Sequence, residues 1–411
     1  TVMAAKLAVG GSGPAGCYCA QAPRKARPDA EVTIIDRMPV PFGLVRYGVA
    51  PDHQGPKALT KQFARLFDRE DIAFVGNLEM GRHVSLDELL ELFDIVVLAT
   101  GLSADRGLGS AFADVPGLYG AGDVTRLWNG HPDHEGFNLT LGTTTCVIGN
   151  GNVAMDIVRL LAKGPEDFAG SDIPGEAIAP PLRHNHLIGR SPAQSAKFDP
   201  AMTRELDKIA GLTVHMGTRL PTDPEHRGRV ELNALVERTG TGAKTLTFHF
   251  ETTPLRPVVE DGRLTGLVCQ REGAEASISC DSLVTAIGFY GGGDDVRGTL
   301  LSAAIDLEHG HLAERLFATG WYRRGPVGTI AANRAAAKAV ASRIVAVLGT
   351  AVSSTRAGRD GLRQRLNHQI TDYEDWLAID TVERRMAPPN RGRSKLTTRA
   401  EMLAVGDARK G

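Results

Sequence analysis

Lys6-Leu7-Ala8-Val9-Gly10-Gly11-Ser12-Gly13-Pro14-Ala15-Gly16 is the stretch that decides the fold. Its first four residues read as a short apolar strand that runs into a glycine-rich turn. Cys17-Tyr18-Cys19-Ala20-Gln21-Ala22 suits the opening turns of a helix, and Glu31-Val32-Thr33-Ile34-Ile35-Asp36 reads as a second strand with an acid at its end. Strand, glycine turn, helix and strand within about thirty residues make a βαβ unit. The spacing Gly11-x-Gly13-x-x-Gly16, with Asp36 further on, is a dinucleotide fingerprint. The first glycine permits the tight turn, the second lets backbone approach a pyrophosphate, and the third lets helix and strand pack closely. The helix start offers N–H groups and a positive dipole end to phosphates. Asp36 is placed to accept from a ribose hydroxyl.

A second fingerprint follows at Gly149-x-Gly151-x-x-Ala154, with alanine as a tolerated third member. Thr145-Cys146-Val147-Ile148 precedes it as a strand, and Met155 to Leu161 follows as a helix with apolar spacing of three and four. The next strand, His186-Leu187-Ile188, comes after a Gly/Pro-rich excursion over 164–181 and ends at Gly189-Arg190. An arginine there suits a 2′-phosphate, which an acid would repel. Two further apolar runs, Ile95 to Gly101 and Leu283 to Gly288, suit points where the chain leaves one nucleotide-binding domain for another. Ala318-Thr319-Gly320-Trp321 reads as a loop, Ile330 to Leu348 as a helix, 349–360 as a linker, and 361–411 as two weak helical patterns. Between Arg384 and Arg399 the tail carries six basic residues and no acid, which reads as a solvated surface.

Composition narrows the function classes. The chain has 411 residues, 42% hydrophobic and 23% charged, as expected of a soluble globular protein of two or three domains. Its net charge of -1, from 47 basic and 48 acidic residues, lacks the basic excess of a nucleic-acid binder. Five cysteines without a C-x-x-C argue against a disulfide framework, a thioredoxin-type dithiol and a cysteine-held iron–sulfur cluster. No metal site is expected. No apolar run approaches the ~18 residues of a membrane span, and no targeting pattern is visible, so a cytoplasmic location is expected. Two fingerprints in one chain imply two dinucleotides, and the natural pair is a held flavin and a diffusing nicotinamide. The cofactors must then carry the redox chemistry.

Pro39-Val40-Pro41-Phe42-Gly43-Leu44-Val45-Arg46-Tyr47-Gly48-Val49-Ala50-Pro51-Asp52-His53 closely resembles a signature of the adrenodoxin reductase-like ferredoxin–NADP reductases. Trp128-Asn129-Gly130, Gly149 to Asp156, Gly320-Trp321-Tyr322-Arg323-Arg324-Gly325-Pro326-Val327-Gly328-Thr329-Ile330, Asp375-Trp376 and Arg393-Ser394-Lys395-Leu396 extend the resemblance along nearly the whole chain. It implies an α/β fold of two three-layer nucleotide-binding domains, a glutathione reductase-like FAD domain over 1–101 and 317–411 with an NAD(P) domain inserted over 102–316. Carried over, Gly11, Gly13, Ala15, Gly16, Asp36, Leu44 and Met80 line the FAD site, and Trp321, Gly328, Thr329 and Ile330 cover its ring. Arg106, Gly149, Asn150, Gly151, Asn152, Val153, Arg190 and Ser191 meet NADPH. His53, a residue that on its own is ordinarily a satisfied polar group, matches with Glu205 a family ion pair near the flavin, and these are the candidate catalytic residues.

The implied reaction is hydride transfer from NADPH to FAD, then single-electron transfer to an iron–sulfur ferredoxin that feeds a monooxygenase or another acceptor. Arg204, Arg227, Arg229 and Arg238 are candidates for a basic patch facing an acidic ferredoxin. The alternatives are a flavin-dependent NAD(P)H oxidase or monooxygenase, and a nucleotide-binding subunit without turnover. The sequence departs from the family pattern at Ser191, where a second arginine is usual, at Pro192, where glycine is usual, and at Met202, which aligns with a glutamate. These departures point to a weaker discrimination against NADH, with Lys197 as a possible substitute cation.

Overall fold

The computed structural model describes residues 4–177, 182–217, 242–291, 296–328, 330–349 and 354–410. In chain order its strands are Lys6–Gly10 (β1), Glu31–Ile35 (β2), Ala73–Val75 (β3), Ile95–Leu98 (β4), Ala104–Asp105 (β5), Leu118–Gly120 (β6), Thr144–Ile148 (β7) and His184–Ile188 (β8). Then come Leu212–Met216 (β9), Lys244–His249 (β10), Thr252–Glu260 (β11), Arg263–Arg271 (β12), Ala274–Ser279 (β13), Ser282–Thr285 (β14), Phe289–Tyr290 (β15), His311–Ala313 (β16) and Leu316–Ala318 (β17). The chain divides into two compact units, Thr1–Ala104 with Gly130–Asp133 and Tyr290–Gly411, and Asp105–Asn129 with His134–Phe289. Residues 290–316, expected with the inserted part, cluster with the chain ends instead. The reason is local: β16 pairs antiparallel with β17, and β17 pairs parallel with β4.

The first unit is a sheet of order β16-β17-β4-β1-β2-β3. Its central strands are buried on both faces, which is why they read as continuous apolar runs. Leu7, Val9, Ile34 and Val97 pack on one face with Cys17 and Ala20 of the helix Pro14–Ala26 and Val340 and Ile344 of the helix Ile330–Gly349. Ala8, Ile35, Val75 and Val96 pack on the other with Leu89 and Leu362. This is the three-layer arrangement that the alternation of strand and helix required. Where a loop was expected around Gly320, the chain turns at once into the short helix Gly320–Arg324. The tail holds three helices, Gly358–Arg365, Tyr373–Arg385 and Arg399–Lys410, rather than two.

The basic run of the tail is also not a simple solvated surface. Lys395 is buried, Arg393 pairs with Asp380 and Glu383 at 2.8 and 2.9 Å, and Arg399 pairs with Asp133 at 2.7 Å. Asp380 and Glu383, just before the run, and Asp133, from far along the chain, balance it, and a count of charges along the run itself missed them.

The second unit has a parallel sheet of order β6-β14-β7-β8-β10-β9. A three-stranded antiparallel sheet, β11-β12-β13, lies on its core, with Leu264, Leu267 and Cys269 against Cys146, Ile148, Ile188 and Leu283. Its hairpins turn at Asp261-Gly262 and Glu272-Gly273, all four residues at positive φ, as two-residue hairpin loops of the twisted kind demand. All five cysteines are buried thiols. Among the described residues no helix is long and apolar enough to cross a membrane.

Candidate cofactor sites

The first glycine loop is shaped by three different constraints. Gly11 sits at φ +112°, and a Cβ on it would lie 2.3 Å from the Ala99 carbonyl oxygen, so β1 can leave the sheet beside β4 only with glycine there. A Cβ on Gly16 would lie 1.9 Å from the Gly11 carbonyl oxygen, which sets how closely the helix Pro14–Ala26 packs on the turn. Gly13 differs from both: a Cβ on it would meet nothing nearer than the Leu44 nitrogen at 4.0 Å. The loop is therefore open at the middle glycine, just where the helix begins without a side-chain cap. Uncapped N–H groups facing open space are the donor set a pyrophosphate uses.

Asp36 closes the loop from behind. Its Oδ2 accepts from the Ser12 nitrogen at 2.8 Å and from Ser12 Oγ, and its Oδ1 accepts from the Met38 nitrogen at 2.9 Å. Ser12 Oγ in turn accepts from the Phe42 nitrogen at 3.0 Å. Sequence reasoning missed Ser12, whose signal was a buried hydroxyl between two fingerprint glycines. Phe42 and Gly43 both take positive φ, and a Cβ on Gly43 would stand 3.1 Å from the Gly13 Cα, so the 39–53 stretch arrives against the glycine loop. Leu44 is left partly exposed there. Met80 lies over the end of β1, its Sδ 2.2 Å from where a Gly10 Cβ would be. A Cβ on Gly320 would be 2.5 Å from that of Ala15, which brings the Trp321 segment to the first turn of the same helix. The first unit thus gathers Gly11, Gly13, Ala15, Gly16, Asp36, Leu44 and Met80, with Trp321 adjoining through Gly320. Thr329 lies outside the described residues.

The second loop repeats the design. Gly149 has φ +140°, and a Cβ on it would lie 2.3 Å from the Ala286 carbonyl oxygen, as Gly11 stands to Ala99. Gly151 has nothing within 4 Å, and the helix Asn152–Ala162 starts there without a side-chain cap. Ala154 is fully buried, so its methyl is part of the packing. Asn150 and Asn152 hold the next loop in place: the Asn150 carbonyl accepts from the Lys197 nitrogen at 2.9 Å, and Asn152 Oδ1 accepts from the Asp199 nitrogen at 2.7 Å. The Asn150 Nδ2 is buried without a partner among the described residues. Arg190 is exposed at the end of β8, and among the described residues no carboxylate pairs with it. Arg106 is tied to the carbonyls of Gly288 and Phe289 through its backbone nitrogen and Nε, at 3.0 and 3.2 Å. Both cradles therefore fit a dinucleotide phosphate at the middle glycine.

A cindoxin reductase of Citrobacter braakii is 44% identical over 409 residues, covering 97% of this chain and 90% of that protein. A mitochondrial NADPH:adrenodoxin oxidoreductase of Arabidopsis thaliana is 31% identical, covering 96% of this chain and 94% of the other. The chain belongs to the adrenodoxin reductase-like ferredoxin–NADP reductases. The solved structure of FprA of Mycobacterium tuberculosis in complex with NADPH superimposes on this reductase with a TM-score of 0.88 at 27% identity, covering 98% of this chain and 99% of that one. No protein-family model matches. The fold and the family inferred from the 39–53 and 320–330 stretches are those found.

The candidate catalytic residues of this reductase fall in different units. His53 is half-buried in the first, at the start of the short helix Gln54–Lys57. Glu205 is in the second, where its carboxylate lies 3.1 Å from Nε of the buried Arg159. Arg159 was not singled out from the sequence, because a basic residue in a helix whose other face is apolar reads as solvated. Of the basic-patch candidates Arg204 is exposed, and Arg227, Arg229 and Arg238 lie outside the described residues.

Proposed function

We propose that this chain is a ferredoxin–NADP reductase with FAD in the first unit and NADPH in the second. FAD, when bound, accepts a hydride from the nicotinamide and releases electrons singly to a small iron–sulfur carrier. The observation that carries the reading is the pair of glycine cradles, both open at the middle glycine and both beside an uncapped helix start. Gly11, Gly13 and Gly16 hold the flavin pyrophosphate, Asp36 orders the loop through Ser12 and takes the ribose, and Leu44, Met80, Trp321, Gly328 and Ile330 flank the ring. Gly149, Asn150, Gly151, Asn152 and Val153 hold the NADPH pyrophosphate, with Arg106, Arg190 and Ser191 at its edge. His53 of the first unit and Glu205 of the second are the candidate positioning residues; hydride transfer itself needs no side-chain acid.

Two measurements separate this from the alternatives. Anaerobic mixing with NADPH should bleach the flavin rapidly, which an inert subunit cannot do, and reoxidation in air should be slow, unlike an oxidase. Cytochrome c reduction should be slow with the enzyme alone and rise strongly with an added iron–sulfur ferredoxin. When partner encounter limits the rate it should fall with salt, since the Debye length shrinks from ~10 Å at 0.1 M to ~3 Å at 1 M. Stimulation by a flavodoxin and none by a ferredoxin would reassign the carrier.

Coenzyme choice depends on Arg190. A hydrogen bond to a charged group contributes about 1.5–3 kcal/mol, or roughly ten- to a hundredfold in binding. Arg190→Ala should raise the Michaelis constant for NADPH at least about tenfold and leave that for NADH nearly unchanged. Ser191→Arg should sharpen the preference for NADPH. Equal weakening of both coenzymes would show that Arg190 holds the pyrophosphate or the adenine instead.

A further inference from the structure

We propose that the second unit carries an anion site on one face of its parallel sheet, built from His184, His186, His249 and Arg271 and taking phosphate, free or as a phosphomonoester. The faces of a covered parallel sheet are ordinarily apolar. Cys146, Ile148, Ile188 and Leu283 keep that rule where β11-β12-β13 covers them. Beyond that cover the same face turns polar, with His184 exposed, His186 half-buried and His249 buried. His184 and His186 are two apart on β8 and so point the same way. The register pairs Ile188 with His249 of β10, which puts His249 on that side as well. A cavity of about 430 Å³ opens against these three side chains, with Arg271 of β12 and the outer strand β13 as its far wall.

The chemistry of the wall has one sign. Among the described residues, His184, His186, His249 and Arg271 are the titratable groups lining it; beside its Thr144 edge the Asp281 carboxylate accepts from the Thr143 and Thr144 nitrogens at 2.7 and 2.9 Å. The nearest carboxylate along β13, Glu275, is exposed and paired with Arg256 at 3.0 Å. His186 Nδ1 and His249 Nε2 lie 3.0 Å apart, so one donates to the other. His249 is 6% exposed, and its Nδ1 is buried without a partner among the described residues. Arg271 spends a donor from Nη1 on the Gly217 carbonyl at 2.9 Å, and guanidinium has five. Thr144 adds a hydroxyl.

A phosphate would be met by a fixed cation and by imidazoles that charge when it arrives. Burial pushes His249 down to about 4, with the neighbouring His186 and Arg271 adding to it. Burial and His184 lower His186 too. Both therefore favour the neutral imidazole until an anion binds. An anion favours the imidazolium form and raises those values, so affinity must rise as pH falls. The volume is in the lower part of the ~300–1,000 Å³ range of ligand pockets, roomier than a bare phosphate needs. The cavity is also distinct from the coenzyme cradle: Thr144 and His184 open β7 and β8, whereas Gly149 and Arg190 follow the ends of those strands.

The test uses the full flavin-loaded protein with NADP⁺ saturating its own cradle. Sulfate is the first probe for calorimetry, because its charge stays fixed between about pH 8 and about pH 5.5. Its affinity should rise about tenfold or more over that fall. Arg271→Gln should weaken sulfate about tenfold or more, and His186→Gln should flatten the pH dependence, while flavin content and NADP⁺ affinity stay at wild-type values. Glycerol 2-phosphate binding more tightly than inorganic phosphate at one pH would assign the cavity to a phosphomonoester, and the reverse to the free ion. Sulfate binding that ignores pH or Arg271, or no binding near pH 5.5, would overturn the proposal. So would Zn²⁺ binding that His186→Gln abolishes in a protein that takes no sulfate, since the histidines would then form a metal site.

Discussion

Gly13→Ala should yield a folded protein that purifies almost colourless, whereas Gly16→Ala should fail to accumulate in native form. Both replace one hydrogen by a methyl in the same loop, and the difference lies in what the methyl meets. At Gly16 it would stand 1.9 Å from the Gly11 carbonyl oxygen, a backbone atom at the end of β1 that cannot step aside without shifting the helix Pro14–Ala26 off the sheet. At Gly13 the backbone is extended, with φ -70° and ψ 178°, and the methyl would meet nothing nearer than 4.0 Å. Alanine there restricts the unfolded chain and should leave the stability of the flavin-free protein equal or higher by about 0.4–1 kcal/mol. The methyl does occupy the open side by which a pyrophosphate reaches the helix start. The wild-type chain should release one FAD per chain on acid extraction, and Gly13→Ala less than about a tenth of that. A yellow Gly13→Ala protein with full FAD content would place the pyrophosphate elsewhere. Gly151→Ala is the matching test in the second unit: flavin retained, NADPH binding weakened.

The sequence was most legible where one backbone requirement dictates one residue type. The fingerprints at Gly11 and Gly149 are of this kind, since positive φ beside a neighbouring carbonyl admits only glycine, and the strands flanking them were placed within a residue or two. The resemblance added the roles of Leu44, Met80 and Trp321, which no spacing rule supplies. The antiparallel sheet β11-β12-β13 was overlooked, although Asp261-Gly262 between two β-branched and apolar runs is a hairpin signal. Its strands mix charges and prolines with the apolar residues, and these diluted the pattern. The short helix Gly320–Arg324 was read as loop because five residues are too few to show a period. The basic tail was misread for another reason. Burial of Lys395 and pairing of Arg393 depend on Arg46 and Glu383, and Arg46 is hundreds of residues away along the chain.

That buried cluster carries the second large effect. Glu383 is fully buried; its Oε1 accepts from Arg46 Nη2 and from the Leu396 nitrogen at 3.0 Å, and its Oε2 accepts from Arg393 Nη1 at 2.9 Å. Arg46 is 4% exposed and lies 5.0 Å from the ring centroids of both Tyr47 and Trp376. The Glu383 charge holds the Arg46 guanidinium firmly protonated against the cost of its burial. Glu383→Ala therefore strands a cation that can neither reach water nor lose its proton. Breaking a buried pair in this way costs about 3–5 kcal/mol. In a unit of this size that corresponds to a fall of roughly 6–20 °C in the midpoint of its thermal transition. Lys410→Ala is the control: Lys410 is 44% exposed, and the buried Asp375 that it meets keeps Arg409 at 2.9 Å, so the loss should be only about 0–1 kcal/mol. Arg46 belongs to the stretch that Gly43 presses against the glycine loop, so Glu383→Ala should also release flavin faster on dilution than wild type does. Glu383→Gln keeps the acceptor and the shape without the charge, and should fall between the two. A midpoint for Glu383→Ala no lower than that of Lys410→Ala would mean that Arg46 finds another partner, and that the buried pair does not hold the flavin cradle in place.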